Sequence, residues 1–384
     1  MDFFTSIIPA ISACLISFIS IPSIIKVAQQ KRLFDEPDGK RKSHSVRTPS
    51  LGGVAIFSGI IFSAFLFIDL AQLPRFTYVF AAVILLFFTG VKDDIIPLTP
   101  IKKMLAQLLA SGIVVYLADI RLSSLYGFFG FHEVPYLISV GVSMFCMLVI
   151  INAFNLIDGI NGLAGGIGVV VCLSFAGLFA YLGQPILSSL ALIVVGALLG
   201  FLRYNLALRA KIFMGDSGAL MLGLFSAIFC IRFIELNKTA DSIFATAFAP
   251  VLAVAILIIP LFDTLRVFII RTSRGKSPFC GDRNHLHHFM IDLGMPHWQA
   301  SVYFYVINIF FIAMSFLLLH VPPFWVLTGI LLVAFLLNLL LNHLRNRRRP
   351  TLPPLISDGP TIKVESPNSI SKATLAQNGY QSNR

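Results

Sequence analysis

The sequence predicts an all-α, polytopic integral membrane protein with about 11 transmembrane helices and an active site at the cytoplasmic face. Three observations carry that reading. Only 12% of the 384 residues are charged and 57% are hydrophobic, against about 25% charged in an ordinary soluble domain. Apolar runs long enough to span a bilayer recur along most of the chain. The basic residues sort to one side of those runs. A β-barrel would instead show short alternating segments.

In order, the runs lie at residues 3–25, 51–70, 76–91, 104–120, 135–153, 163–182, 186–202, 218–234, 243–262, 301–320 and 323–343. No basic residue precedes Phe3, so the first run reads as a retained helix and not a cleaved signal peptide. The third and seventh runs are short for a span. With the N-terminus outside, segments 26–50, 92–103, 154–162, 203–217, 263–300 and the tail from 344 face the cytoplasm. They hold 25 of the 29 Lys and Arg; Arg75, Arg121, Arg232 and Lys238 stay on the other side. The net charge of +11 therefore reflects topology and anionic headgroups. Nothing resembles an aromatic-basic nucleic-acid module. Residues 1–345 form the transmembrane domain. Residues 346–384 form a basic, then polar and Pro-rich cytoplasmic tail with a disordered composition. Cys14, Cys146, Cys172, Cys230 and Cys280 are scattered without a CxxC pair and read as packing residues.

The unusual polar clusters also fall on the cytoplasmic side. Asp93 and Asp94 end the third run, and adjacent carboxylates repel unless a cation or proton relieves them. They read as a divalent-metal and general-base pair, or as a solvated helix end beside Lys92, Lys102 and Lys103. In MGDSG, Asp216 sits between glycines at the start of the eighth run. That turn suits a phosphate, or a plain helix cap. Asn152, Asn155, Asp158 and Asn161 recur every three residues, a drifting stripe on a helix, with Gly159 and Gly162 beside it. They suit a ligand site or an interhelical polar seam. His285, His287 and His288 form HLHH, amid Arg266, Arg271, Arg274, Lys276 and Arg283. One histidine box is too few for a membrane di-iron oxygenase. A transporter or flippase would carry ionisable groups deep within its spans, whereas these lie at span ends. Oxygen ligands, basic groups and glycine turns together suit phosphoryl transfer with magnesium, or manganese, between a nucleotide-linked donor and a lipid phosphate.

These motifs, in this order, resemble the polyprenyl-phosphate N-acetylhexosamine-1-phosphate transferases over about residues 1–345. That family includes the peptidoglycan lipid I translocase and the N-acetylglucosamine-1-phosphate transferases of O-antigen and teichoic acid assembly. DRNHLHH is closer to the N-acetylglucosamine branch. The resemblance implies transfer of a sugar-1-phosphate from a UDP-sugar to undecaprenyl phosphate in the bacterial inner membrane. UMP is released, Mg2+ is the cofactor, and a homodimer is compatible with the family. It implies Asp93 and Asp94 near the lipid phosphate, with Asp93 the base. Asp216 is implied as the principal metal ligand and Asn155 as a second. Asp158, Gly159, Ile160 and Asn161 form the uridine-side loop, with Phe213 stacked on uracil. Lys42 and His44 lie near the pyrophosphate, and Arg266, Arg283, His285, His287 and His288 form the late polar motif. One departure stands out. Many members carry Asp where this chain has Asn161, which removes any acid–base role from that position. N-acetylglucosamine is the sugar expected, with another N-acetylhexosamine as the alternative.

Overall fold

The computed structural model describes residues 7–33, 48–73, 75–124, 126, 133–207, 210–239, 248–275, 277 and 284–348. Lys42, His44, Arg283, Cys280 and nearly all of the tail lie outside them. Among the described residues the chain is all-helical, without a β-sheet.

The helices are α1 (Ile7–Gln30), α2 (Gly52–Phe67), α3 (Phe76–Ile95), α4 (Pro100–Gly112), α5 (Tyr136–Ile157), α6 (Leu163–Tyr181) and α7 (Pro185–Asn205). Then follow α8 (Gly215–Thr239), α9 (Phe248–Ile256), α10 (Ile258–Ser273), α11 (Leu286–Asp292), α12 (His297–Leu317) and α13 (Pro323–Arg348). A π-helical turn, Ile113–Leu117, prolongs α4. Nine of these helices are long and apolar enough to cross a membrane: α1, α3, α4 with its π turn, α5, α6, α7, α8, α12 and α13. The protein is thus a multi-pass membrane protein. The second expected run forms the 16-residue α2, and the ninth forms a bent pair, α9 and α10.

The α8 helix is the axis of the bundle. Its apolar stretch is 83% buried, against 22% for α1 and α13, whose outer faces are lined with exposed Ile, Leu and Phe. Glycine lets its neighbours come close. A Cβ on Gly53 of α2 or Gly90 of α3 would collide with the backbone of Ser217, and one on Gly223 with Ile151 of α5. Between membrane helices, close backbone approach of this kind supplies the packing that hydrophobicity alone does not.

The ninth run departs from a straight span. The axis bends by 80° between α9 and α10. Pro260 has no N–H to give to the carbonyl four residues back, Ile256. Fully buried Asn308 of α12 replaces it, donating from Nδ2 to Ala255 O (3.2 Å) and Ile256 O (3.1 Å). Backbone groups freed at membrane depth must find such partners. The bend carries α10 on to Ser273, which brings Asp263, Arg266 and Arg271 beside α11.

Candidate active site

α3 and α5 end at the face where α8 begins. Asp93, Asp94, Asn155, Asp158 and Asp216 therefore meet, although 123 residues separate Asp94 from its partner Ser217. Successive residues on a helix point about 100° apart, so Asp93 and Asp94 have different partners. Asp94 faces α8: Asp216 N–H donates to its Oδ1 (2.7 Å), and Ser217 donates to its Oδ2 from N–H (3.1 Å) and Oγ (2.7 Å). Asp93 faces α4: Leu98 N–H donates to its Oδ1 (2.5 Å) and Lys103 Nζ to its Oδ2 (3.0 Å).

Lys103 also reaches Asp216 Oδ2 at 2.5 Å. One ammonium therefore lies between two carboxylates from different helices, with its side chain only 17% exposed. Asn155 Nδ2 donates to the other oxygen of Asp216. Gly215, at φ +72°, forms the left-handed turn that opens α8; its N–H donates to Asp158. The helix N-terminus that looked open to a phosphate thus has its first N–H groups taken by Asp158 and Asp94. Asp216 is not a cap, because its own carboxylate turns toward Lys103.

The three-residue stripe is split by the end of α5 at Ile157. Asn152 pairs reciprocally with Gln107 of α4, donating at 2.6 Å and accepting at 3.3 Å, and is interhelical glue. Asp158 lies just past the helix. Loss of water raises its carboxyl to about 8, helped by the negative charge of Asp216 and Asp94 and opposed by the Gly215 N–H. Gly159 lies against the imidazole of His287, where a Cβ would not fit. Ile160 is buried. Asn161 keeps a buried Oδ1 without a hydrogen-bond partner among the described residues. Its carbonyl accepts from Ser301 Oγ (2.8 Å), and its N–H lies 3.5 Å from His297 Nδ1. Segment 155–161 therefore bridges the carboxylates at one end and the histidines at the other.

Asn205, at the end of α7, ties that segment to the α8 approach. Its Oδ1 accepts from Gly162 N–H (2.6 Å) and its Nδ2 donates to Ile212 O (2.8 Å). Phe213 is held by its backbone: its N–H donates to Pro49 O (2.8 Å) and its carbonyl accepts from Gly52 N–H (2.9 Å).

The histidine box forms a second, adjoining group. His285 precedes α11, and His287 and His288 lie in it. The His285 and His287 rings stack at 5.5 Å, and His288 lies 4.3 Å from His287. Burial pushes His287 down to about 3, with the neighbouring His288 next in effect, so it is uncharged at neutral pH. Asp263, 2% exposed, binds His285 Nδ1 at 2.9 Å and the Leu286 N–H at 2.9 Å. Arg266 donates to Asp263 (3.2 Å) and to Asn284 O, and lies 4.8 Å above the Phe289 ring. Its Nε and a second guanidinium nitrogen are buried without a partner among the described residues. Arg345 of α13 lies 4.2 Å from Phe289 and pairs with Asp292 at 2.6 Å.

Lys103, Asn205 and Asp263 are the residues that sequence reading passed over. Lys103 looked like one of three helix-end lysines, while Asn205 and Asp263 fell just past the seventh and ninth runs and drew no reading of their own. Spacing cannot show partners 113, 43 and 22 residues away.

No three His, Cys, Asp or Glu side chains among the described residues are grouped to hold a metal ion by themselves. Magnesium seldom needs such a cage, since one or two carboxylates with substrate phosphates suffice. Asp93 and Asp216, hard oxygen donors that already share a cation, fit that requirement.

A glycosyl transferase family 4 model matches residues 76–234, from the start of α3 into α8, and so takes in the whole carboxylate cluster. The chain is 34% identical over 326 residues to an undecaprenyl-phosphate α-N-acetylglucosaminyl 1-phosphate transferase of Yersinia pestis, covering 81% of this chain and 84% of that one. The chain belongs to glycosyl transferase family 4. A family member of the same description from Escherichia coli is 31% identical over 323 residues, with the same coverage. A decaprenyl-phosphate N-acetylglucosaminephosphotransferase of Mycobacterium tuberculosis is 32% identical over 289 residues, covering 70% and 71%. In this family 4 transferase, Asp263, Arg266 and the histidine box lie beyond the stretch that the family model matches.

Proposed function

We propose that this sugar-phosphate transferase moves N-acetylglucosamine-1-phosphate from a UDP-linked donor to undecaprenyl phosphate, releasing UMP. The reaction takes place on the cytoplasmic side of a bacterial plasma membrane, with the N-terminus outside and magnesium as cofactor. The observation that carries the reading is the Lys103 ammonium between Asp93 and Asp216, at a membrane-helix end. Two anionic reactants can meet only where their charge is screened, and this cluster brings fixed cationic and oxygen-donor groups to the place where lipid headgroups lie. The relatives are named for a polyprenyl phosphate and N-acetylglucosamine, and the excess of Lys and Arg on the site's side supports the orientation.

In the reaction, a phosphate oxygen of the lipid attacks the sugar-bearing phosphorus in line. That P–O bond forms as the bond to UMP breaks, and UMP keeps the electron pair. Asp93 takes the proton when the lipid phosphate arrives protonated, and Lys103 screens the pyrophosphate. Asp216, with Asp93 or Asn155 beside it, would hold magnesium, whose chemistry is to neutralise charge on the transferring phosphoryl group. Asn161, Gly159 and His287 form the nucleotide side, where the Asn161 Oδ1, without a partner among the described residues, accepts from a uracil N–H. Arg266 serves the donor phosphates through its unpaired nitrogens. Lys42, His44 and Arg283 are assigned to the same anionic donor by resemblance.

Purified protein, undecaprenyl phosphate and UDP-N-acetylglucosamine, with and without magnesium, test this directly. Metal-dependent UMP release is expected. If no UDP-sugar in a panel of N-acetylhexosamines yields it, the transferase reading fails. Radiolabelled sugar-phosphate trapped on the protein without lipid acceptor would instead overturn the single-step route.

A further inference from the structure

Asp263 lies in α10 and touches none of the carboxylates at the start of α8, yet it is almost wholly buried. A buried carboxylate is costly unless each oxygen is satisfied. Here Oδ1 accepts from the Leu286 N–H (2.9 Å) and from Arg266 (3.2 Å), while Oδ2 lies 2.9 Å from His285 Nδ1. His285 immediately precedes α11 and makes no side-chain capping bond of its own. The Leu286 N–H, an orphan donor of that short helix, is met instead by Asp263, from the next helix back. On the far side of the imidazole, His285 Nε2 lies 3.4 Å from an Arg271 guanidinium nitrogen, which can only donate. An acceptor stands at Nδ1 and a donor at Nε2, so one tautomer satisfies both.

We infer that Asp263 is a positioning residue for the histidine box: it holds the proton of His285 on Nδ1, leaves the Nε2 lone pair toward Arg271, and anchors the start of α11. His287 stacks on His285, and Gly159 of the proposed nucleotide-side segment lies against His287. Asp263 thereby fixes the wall of the site through His285 without touching substrate. The link to turnover rests on the transferase reading above; the tautomer does not.

Asp263→Asn isolates the effect. The amide oxygen still accepts from Leu286 N–H, but the amide nitrogen now donates toward Nδ1. The imidazole proton is driven to Nε2, where it opposes the Arg271 donor. For metal-ligating histidines, losing the orienting partner typically costs roughly 10–100-fold in affinity or activity, and a loss of that order is the expectation for His285. Full-length protein in detergent, labelled with 15N-histidine, is examined by NMR, with His285 assigned by difference from His285→Gln. The wild type is expected to show Nδ1–H and an unprotonated Nε2, and D263N the reverse. In the UMP assay, kcat should fall by at least about 10-fold in D263N, with the donor KM changed far less. On the His285→Gln background, D263N should cost little more, because the two residues act as one unit. An Nε2–H tautomer in the wild type, an unchanged tautomer in D263N, or an equal loss on both backgrounds each overturns the inference. The wild-type spectrum decides even if D263N does not fold. It needs no turnover, so it stands apart from the fate of the transferase reading.

Discussion

The ammonium of Lys103 lies 2.5 Å from a carboxylate oxygen of Asp216, 113 residues further along the chain. The same ammonium reaches Asp93 at 3.0 Å. A fixed cation between two carboxylates is pre-organised for an anionic transition state, and such groups act strongly where water is excluded. Replacing Lys103 by Met should lower kcat for UMP release by about 10²-fold or more. Lys103→Arg, which keeps the charge, should retain more activity. Turnover of K103M within a few-fold of wild type would remove Lys103 from the mechanism.

Asp94 should behave differently from Asp93. It caps α8 from outside, taking two backbone N–H groups and the Ser217 hydroxyl. Asp94→Ala leaves those donors unpaired and should cost about 1–2 kcal/mol of stability, the usual value of a lost cap. Asp94→Asn keeps one acceptor and should fall between. Thermal melts in detergent check the order; equal melting of all three proteins contradicts the capping role.

The bend at Pro260 makes a prediction far from the carboxylate cluster. Asn308→Leu leaves the Ala255 and Ile256 carbonyls without their donor and should cost roughly 1–3 kcal/mol. Adding Pro260→Ala restores an N–H four residues after Ile256, so the double variant should melt above N308L alone. If it melts lower, Asn308 is not compensating for the proline.

Acid should unfold the histidine box through His287. Its folded-state value, about 3, lies below the usual 6.5. Above pH 6.5 neither state is protonated there, and the residue adds no pH dependence. Between about 6.5 and 3 only the unfolded chain takes the proton, so stability falls as pH falls. At pH 5 the loss is about 2 kcal/mol. His287→Gln should show a smaller drop in melting temperature between pH 7 and pH 5. An identical drop in both proteins would mean that His287 is already solvated.

Asn161→Asp puts a charge on a buried position whose Oδ1 has no hydrogen-bond partner among the described residues. It should change the donor KM while leaving the lipid-acceptor KM nearly alone. Unchanged affinity for every UDP-sugar donor contradicts the nucleotide-side assignment.

Much of this protein was written locally. Apolar length marked where helices run, because a bilayer tolerates little else. Each expected run contains a helix, with the ninth bent. The carboxylates, the DGING segment and the histidine box were legible as clusters because polar residues at apolar run ends stand out against their surroundings. Their neighbours were not. Asp93 and Asp94 look alike in sequence, yet helical twist sends one to Lys103 and the other to the α8 backbone. The stripe at 152, 155, 158 and 161 looked continuous, but α5 ends at Ile157, so Asn152 glues helices while Asn161 faces α12. Lys103, Asn205 and Asp263 acquire their partners only when α4, α7 and α10 are packed. Hydrophobic period and charge are properties of a residue and its near neighbours, so the sequence by itself determined the membrane architecture and the families of polar groups. Which carboxylate meets a cation, which one caps a helix and which one orients a histidine depend on contacts between helices distant in the chain. Those are decided by tertiary packing.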